Sequence, residues 1–352
     1  MAARPHVTFV VVAGGRGERL WPLVRANRPK VCLSVNGRTL LGATIARLRG
    51  AWPGAEWMVI TVPGQARAVR AALPRELRHA LIVEPEPKNT AACIGLASSL
   101  VHARDPERLL VVVPADHWIP DEGAFRASVR AALAAARQSR RLVVIGLPAS
   151  RREAGLGHLG TGAAWGRRHG VRIVRLARFI EKPSRAAAAR LFAQGRVFWN
   201  VGLFIGTADA FQEAIGQHLP GHARRLSGLS RRGGAAAWRR AYAGLEAVSF
   251  DHGVMTHARD ALLVEGRFRW ADMGSWHTWP QFGVNAARTL IVGGRNVRAV
   301  SEQPHLVAAI GVHNLLVVHT PDATLICPPA RAQQVRQLLR RLGRSHRLAA
   351  YQ

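Results

Sequence analysis

Three glycines, an arginine, a lysine and two aspartates are the residues of this 352-residue chain whose types and spacing suit chemistry on phosphate. Gly14, Gly15 and Gly17 come straight after a β-branched stretch, residues 7–12, with Arg19 just beyond and Lys30 behind Pro29. Glycine tolerates positive φ and close backbone approach, so several N–H groups can face one anion; a helix N-terminus behind such a loop adds partial positive charge. Arginine forks onto phosphate oxygens, and lysine supplies a compact charge. Asp116 follows the aliphatic run 109–113, and Asp272 lies in FRWADMGSW. Carboxylates at strand ends beside a phosphate cradle suit Mg2+, which takes oxygen ligands and bridges substrate phosphates. Each feature alone has a plainer reading, as a glycine turn that binds nothing or as a turn or cap aspartate. Their joint presence favours a phosphate site.

The spacing excludes the neighbouring phosphate motifs. A P-loop needs Gly-Lys-Ser/Thr, which is absent, and Arg16 and Leu20 stand where the dinucleotide fingerprint needs glycine.

The elements that must position these residues alternate. Strands are expected at 57–62, 80–83, 109–113 and 142–147, with helices at 39–49, 65–73, 89–103 (capped by Asn89 and Thr90) and 124–140. Unbroken aliphatic strands separated by helices predict an α/β chain with a doubly wound, Rossmann-like, mostly parallel sheet, whose ligands sit at the carboxyl ends of the strands. Residues 153–205 are less regular and read as an extension of that sheet on the substrate side. From about 288 the texture changes to short strands followed by a basic helix at 330–341, so the expected domains are 1–287 and 288–352. No internal repeat is apparent.

Composition narrows the setting. The content is 48% hydrophobic and 20% charged, as for a globular protein, and no apolar run approaches a membrane span. Cys32, Cys93 and Cys327 are isolated and suit a reducing cytoplasm, and the histidines lack metal-ligand spacing. The formal charge of +29 would attract polyanions, yet the basic residues are dispersed, which argues against nucleic acid as the partner. The cluster at 222–240 reads as a solvated face or a polyanion patch. Only Lys30, Lys88 and Lys182 among the 50 basic residues are lysine, and all three lie inside motifs, which favours specific phosphate contacts at Lys30 and Lys182.

The pattern G-G-x-G-x-R-L-x-P-L followed by Pro-Lys resembles the signature of the nucleoside-diphosphate-sugar pyrophosphorylases, and Trp21-Pro22-Leu23 is most similar to the mannose-1-phosphate guanylyltransferase branch. EPEPKNTAA, PADHW, FIEKP, FWNVGLFIG, SFDHGVM and WADMGSW resemble further motifs of that branch, in the same order. The tail is similar to the short left-handed β-helical segment plus helix with which such enzymes end and pair, which implies a homodimer. The resemblance implies Mg2+-dependent transfer from GTP to mannose 1-phosphate. Ala13, Gly14, Gly15, Gly17, Asn89 and Thr90 would hold the nucleotide, Arg19 and Lys30 would neutralise the triphosphate, and Asp116 and Asp272 would bind Mg2+. Gly157, Glu181, Asn200 and Asp251 would address sugar hydroxyls, and Lys182 the sugar phosphate. Departures gather on the sugar side: Leu156 and His158 replace two tyrosines, Val201 a serine, and His252-Gly253 a Tyr-Ala pair; Val24 replaces a hydroxyl residue after Pro-Leu. A sibling with another base or sugar, and a non-catalytic nucleic-acid-binding homologue, remain as alternatives.

Overall fold

The computed structural model describes residues 6–35, 37–229, 234–274, 276, 279 and 287–352, so Ser275 of WADMGSW and part of the basic cluster at 222–240 lie outside the described residues. The strands of the first 272 residues are β1 (Val7–Val12), β2 (Ser34–Val35), β3 (Arg38–Thr39), β4 (Glu56–Thr61), β5 (Leu81–Val83), β6 (Leu109–Pro114), β7 (His117–Trp118), β8 (Val143–Pro148), β9 (His158–Arg168), β10 (Val171–Ile180), β11 (Val197–Thr207), β12 (Leu262–Glu265) and β13 (Ala271–Asp272). Between them run α1 (Leu40–Arg49), α2 (Ala66–Ala72), α3 (Asn89–His102), α4 (Glu122–Ser139), α5 (Arg185–Ala193), α6 (Ala208–His218), α7 (Pro220–Leu226) and α8 (Gly234–Ala243).

Nine strands form one sheet in the order β5-β4-β1-β6-β11-β8-β12-β10-β9. The half that carries the glycine loop is wholly parallel: β1 pairs with β4 and β6, and β4 with β5. Strand β11 enters antiparallel between β6 and β8 and also pairs with β9, stitching the later strands onto the earlier ones. Alternate residues of β6 explain its unbroken aliphatic sequence. Leu110 and Val112 join the core beneath α3, whereas Leu109, Val111 and Val113 join the core beneath α4. Helix α3 is accordingly buried from Ala91 through Val101, while α4 buries Phe125, Val129, Ala132 and Ala136 along one stripe.

The C-terminal strands are β14 (Arg288–Val292), β15 (Arg295–Ser301), β16 (Leu306–Ile310), β17 (His313–His319) and β18 (Thr324–Cys327), followed by α9 (Val335–Leu342). The structure corrects the absence of a repeat. Strand β14 lies parallel to β16 and β15 to β17, with Arg288 beside Leu306 and Arg295 beside His313, a constant offset of 18 residues. The corners repeat as well: Gly293 and Gly311, and Asn296 and Asn314, all take positive φ. Asn296 Nδ2 donates to Asn314 Oδ1 at 2.8 Å, bonding one corner to the next. This segment is tied to the start of the chain, because Leu20, Leu23 and Val24 share an apolar core with Val300, Leu316, Val335 and Leu342.

Candidate active site

After β1 the backbone passes through Gly17 in the left-handed region at φ 64°, into a single 3-10 turn, Glu18–Leu20. The α-helix expected behind the loop does not form: Pro22 lacks the N–H that would extend the turn, and the next helix is a second 3-10 turn at Lys30–Cys32. Positive charge near the loop therefore comes from side chains and loop amides rather than from a helix dipole. A Cβ at position 17 would stand 2.7 Å from Lys30 Cβ, so glycine is required both for φ and for the close approach of Lys30.

Lys30 is 4% exposed and is the hub of the charged cluster. Its Nζ donates to Asp116 Oδ2 at 2.7 Å and to Asp272 Oδ1 at 3.1 Å. Two residues far apart in sequence meet there because β13 pairs antiparallel with β7, setting Asp272 opposite His117, the neighbour of Asp116. Burial raises the Asp272 carboxyl, but the charges of Lys30, His117 and Arg19 outweigh it and hold it down to about 2. Burial pulls the Lys30 ammonium down, and the two carboxylates more than compensate, so its pKa ends up raised. Burial lowers His117. Arg19 reaches across to the C-terminal segment, where its Nη1 donates to Gln333 Oε1 at 3.3 Å.

Mg2+ is the group this donor set has to fit. Among the described residues no three of His, Cys, Asp and Glu gather as a self-sufficient metal cage. Asp116 and Asp272 meet at the Lys30 ammonium, each through one oxygen, and two hard carboxylates brought together in this way match the ion's habit of taking one or two protein carboxylates and completing its shell with water and substrate phosphate. The residues fit.

The other nucleotide residues divide. Gly14 and Gly15 lie at the mouth of the loop, and a Cβ on Gly15 would meet nothing within 4 Å. The Ala13 N–H is already bonded to Ile60 O at 2.8 Å and its carbonyl accepts from Thr61 Oγ1 at 2.9 Å, so Ala13 anchors the loop to the sheet. Asn89, at φ 66°, accepts from Thr90 N, and Thr90 Oγ1 accepts from Phe250 N at 2.9 Å, which ties the start of α3 to the segment carrying Asp251.

The sugar-side residues form a second cluster. Asn200 N donates to Gly157 O at 2.9 Å, and Asn200 Nδ2 to Asp251 Oδ1 at 2.6 Å. Lys182 Nζ donates to Glu181 Oε1 at 2.6 Å, and a Cβ on Gly157 would stand 2.8 Å from Glu181 Oε2. A bulge aims Asn200: the β11–β8 register shifts between Asn200 and Phe204, Gly202 takes φ 66°, and Gly202 N donates to Asn200 Oδ1. Burial, and then the charge of Glu181, push the Asp251 carboxyl up to about 6. Val201 is buried in the α4-side core, so its side chain points away from this cluster. His158, in place of a tyrosine, is buried, with Nδ1 3.0 Å from Leu156 O.

Sequence reasoning missed Glu84. It is buried beside Gly14, accepts from the Tyr242 hydroxyl at 3.0 Å, and is pushed up to about 7 by burial. The available signal was its place at the head of EPEPKNTAA, immediately after a strand.

Residues 8–282 match the family described as Nucleotidyl transferase. The chain belongs to that family. Residues 291–342 match the MannoseP isomerase/GMP-like beta-helix domain, the segment with the 18-residue offset. Among relatives of this nucleotidyltransferase, the mannose-1-phosphate guanylyltransferase of Escherichia coli is 31% identical over 95% of this chain and 73% of its own length. The alginate biosynthesis protein AlgA of Pseudomonas aeruginosa is 31% identical over 96% of this chain and 73% of its own. A crystal structure from Thermus thermophilus, described as a mannose-1-phosphate geranyltransferase, is 32% identical with TM-score 0.79 over 96% of this chain and 99% of that one. No helix among the described residues is long and apolar enough to cross a membrane.

Proposed function

We propose that this nucleotidyltransferase moves a guanylyl group from GTP to mannose 1-phosphate, giving GDP-mannose and pyrophosphate. The name borne by relatives that match 95% of this chain supports the choice of substrates. The observation that carries the chemistry is the convergence of Asp116 and Asp272 on Lys30 beside the glycine loop.

In this reading an oxygen of the sugar phosphate attacks the α-phosphorus of GTP in line, and the bond from that phosphorus to the β-phosphate oxygen breaks. The attacking phosphate is ionised near neutral pH, so no protein base is needed. Two anions must be brought together, which makes positioning and charge neutralisation the enzyme's task. Loop amides at Gly14, Gly15 and Gly17, with Asn89 and Thr90, hold the nucleotide; Arg19 and Lys30 offset the triphosphate charge. Asp116 and Asp272 hold Mg2+, which when bound supplies further positive charge to the phosphates. Lys182 takes the sugar phosphate, and Gly157, Glu181, Asn200 and Asp251 take the hydroxyls.

A cytoplasmic setting and pairing of two copies complete the proposal. Leu290, Val292, Leu306 and Ile310, between 56% and 77% exposed on β14 and β16, support the pairing, and sedimentation showing monomers alone would remove it.

The second reading, a sibling with another sugar or base, is favoured by His158 and His252 standing where the resembling motifs carry tyrosines. Pyrophosphate release from a panel of nucleoside triphosphates with mannose and glucose 1-phosphates separates the two. GTP with mannose 1-phosphate is expected to lead, and dependence on divalent metal is read in the same assay. Faster turnover of another pair selects the sibling, and no release from any pair removes both.

A further inference from the structure

Because β9 pairs with β10 along one edge and with β11 along the other, the strands β11, β8, β12, β10 and β9 close on themselves in a ring. Strands of this ring and the end of α5 bound a cavity of about 330 Å3. None of the residues placed above on nucleotide, metal or sugar lines it. Three arginines do: Arg172 and Arg178 of β10, and Arg196 from the turn between α5 and β11.

The charge of this wall is unbalanced. Glu265 is its one carboxylate; it is 9% exposed, and its Oε1 stands 3.3 Å from Arg172 Nη1. The side chains of Arg178 and Arg196 have no hydrogen-bond, ion-pair or ring partner among the described residues. Arg196 is held there in a backbone conformation that disfavours side chains, at φ 51° directly after Gly195 at φ 65°. Guanidiniums gathered without matching acids repel one another, and a phosphate that accepts their forked N–H groups relieves the repulsion.

The remaining wall indicates what that phosphate is attached to. Ile180, Leu191 and Phe198 offer an apolar side, and Glu265 a buried acceptor for hydroxyls. A sugar ring presents both, an apolar face and a rim of hydroxyls. The volume stands at the small end of the roughly 300–1,000 Å3 of ligand pockets, which suits a single phosphorylated sugar rather than a nucleotide sugar.

The geometry points to a second ligand site, for a phosphorylated monosaccharide that is bound and not turned over, with its phosphate on Arg178 and Arg196 and its hydroxyls on Glu265. It goes beyond the proposed reaction, since it shares no side chain with the sugar cluster. The two sites are neighbours along three strands: His158 follows Gly157, Ile180 precedes Glu181, and Phe198 stands two residues before Asn200.

The test titrates glucose 6-phosphate, mannose 6-phosphate and inorganic phosphate into the full chain by calorimetry. At least one hexose 6-phosphate is expected to bind with a Kd of about 1 mM or below, and inorganic phosphate about tenfold more weakly. The double variant Arg178→Ala with Arg196→Ala is expected to raise the hexose phosphate Kd about tenfold or more. Arg190→Ala, on α5 outside the cavity, and Lys182→Ala, in the sugar cluster, should leave it within about twofold. The three arginines are exposed, so their variants are expected to melt as the wild type does, and the double variant should keep kcat and both KM values within about twofold. No saturable binding of either hexose phosphate, equal affinity for inorganic phosphate, an unchanged Kd in the double variant, or an equal loss in Lys182→Ala each overturns the inference. The titrations need no turnover, so wild-type protein that releases no pyrophosphate would sink the proposed reaction and leave this site standing.

Discussion

The two ends of the site solve opposite electrostatic problems. At the phosphate end a buried lysine holds two carboxylates, and the field of Lys30, His117 and Arg19 keeps Asp272 ionised far into the acid range. At the sugar end burial and a neighbouring carboxylate work the other way, leaving Asp251 near 6. Anions and a metal need fixed charges of known sign, whereas hydroxyls need hydrogen-bonding groups whose identity can vary. That contrast matches the sequence: the charged residues of the phosphate end are all present, and the substitutions collect around the sugar cluster.

The contrast can be broken most severely at the phosphate end. Asp116→Ala and Asp272→Ala are each expected to lower kcat by about 10³-fold or more, in pyrophosphate release with added Mg2+, while the fold persists by circular dichroism. Turnover within tenfold of wild type in both would remove the metal assignment. Next comes Lys30→Met, which leaves two carboxylates facing each other and is expected to cost roughly 2 kcal/mol or more in denaturant unfolding. Because Asp272 is depressed in the fold, its contribution is present above about pH 4 and lost as pH falls toward 2. Lys30→Met should flatten that acid-side slope, since it removes the largest of the three charges that depress Asp272.

At the sugar end Asp251→Asn is expected to raise the KM for the sugar phosphate about tenfold, with kcat less affected. Its stability effect has the opposite sign to that of Asp272. A carboxyl raised to about 6 destabilises the fold as pH rises from about 4 through 6, so the asparagine variant should gain roughly 1–3 kcal/mol at pH 7 and flatten that window. The smallest effect on activity is expected from Val201→Ser, which restores the motif residue but places a hydroxyl in the core. A loss of about 1–2 kcal/mol with an unchanged KM is predicted, and a changed KM would mean that position 201 faces the sugar after all.

Much of this was legible because several functional residues sit at the ends of readable strands. The loop follows β1, Asp116 follows β6, and FIEKP and FWN end or begin β10 and β11. What was not legible depended on partners distant in sequence. A two-residue ladder, β7 with β13, carries no periodic signal, yet it sets Asp272 beside the phosphate loop. The antiparallel entry of β11 and its bulge at Gly202 decide that Asn200 faces Asp251 while Val201 faces the core. The 18-residue offset was visible as Gly293/Gly311 and Asn296/Asn314, but the intervening residues differ enough to mask it. Packing of α9 on the loop left no local trace, since Val335 and Leu342 read only as one face of an amphipathic helix.

The most direct measurement is anomalous diffraction from crystals soaked with GTP and Mn2+ in place of Mg2+. A manganese peak at about 2.2 Å from a carboxylate oxygen of both Asp116 and Asp272, in contact with the triphosphate, is the expected result. A metal bound elsewhere, or both aspartates still held on Lys30 with the triphosphate away from the loop, would contradict the account.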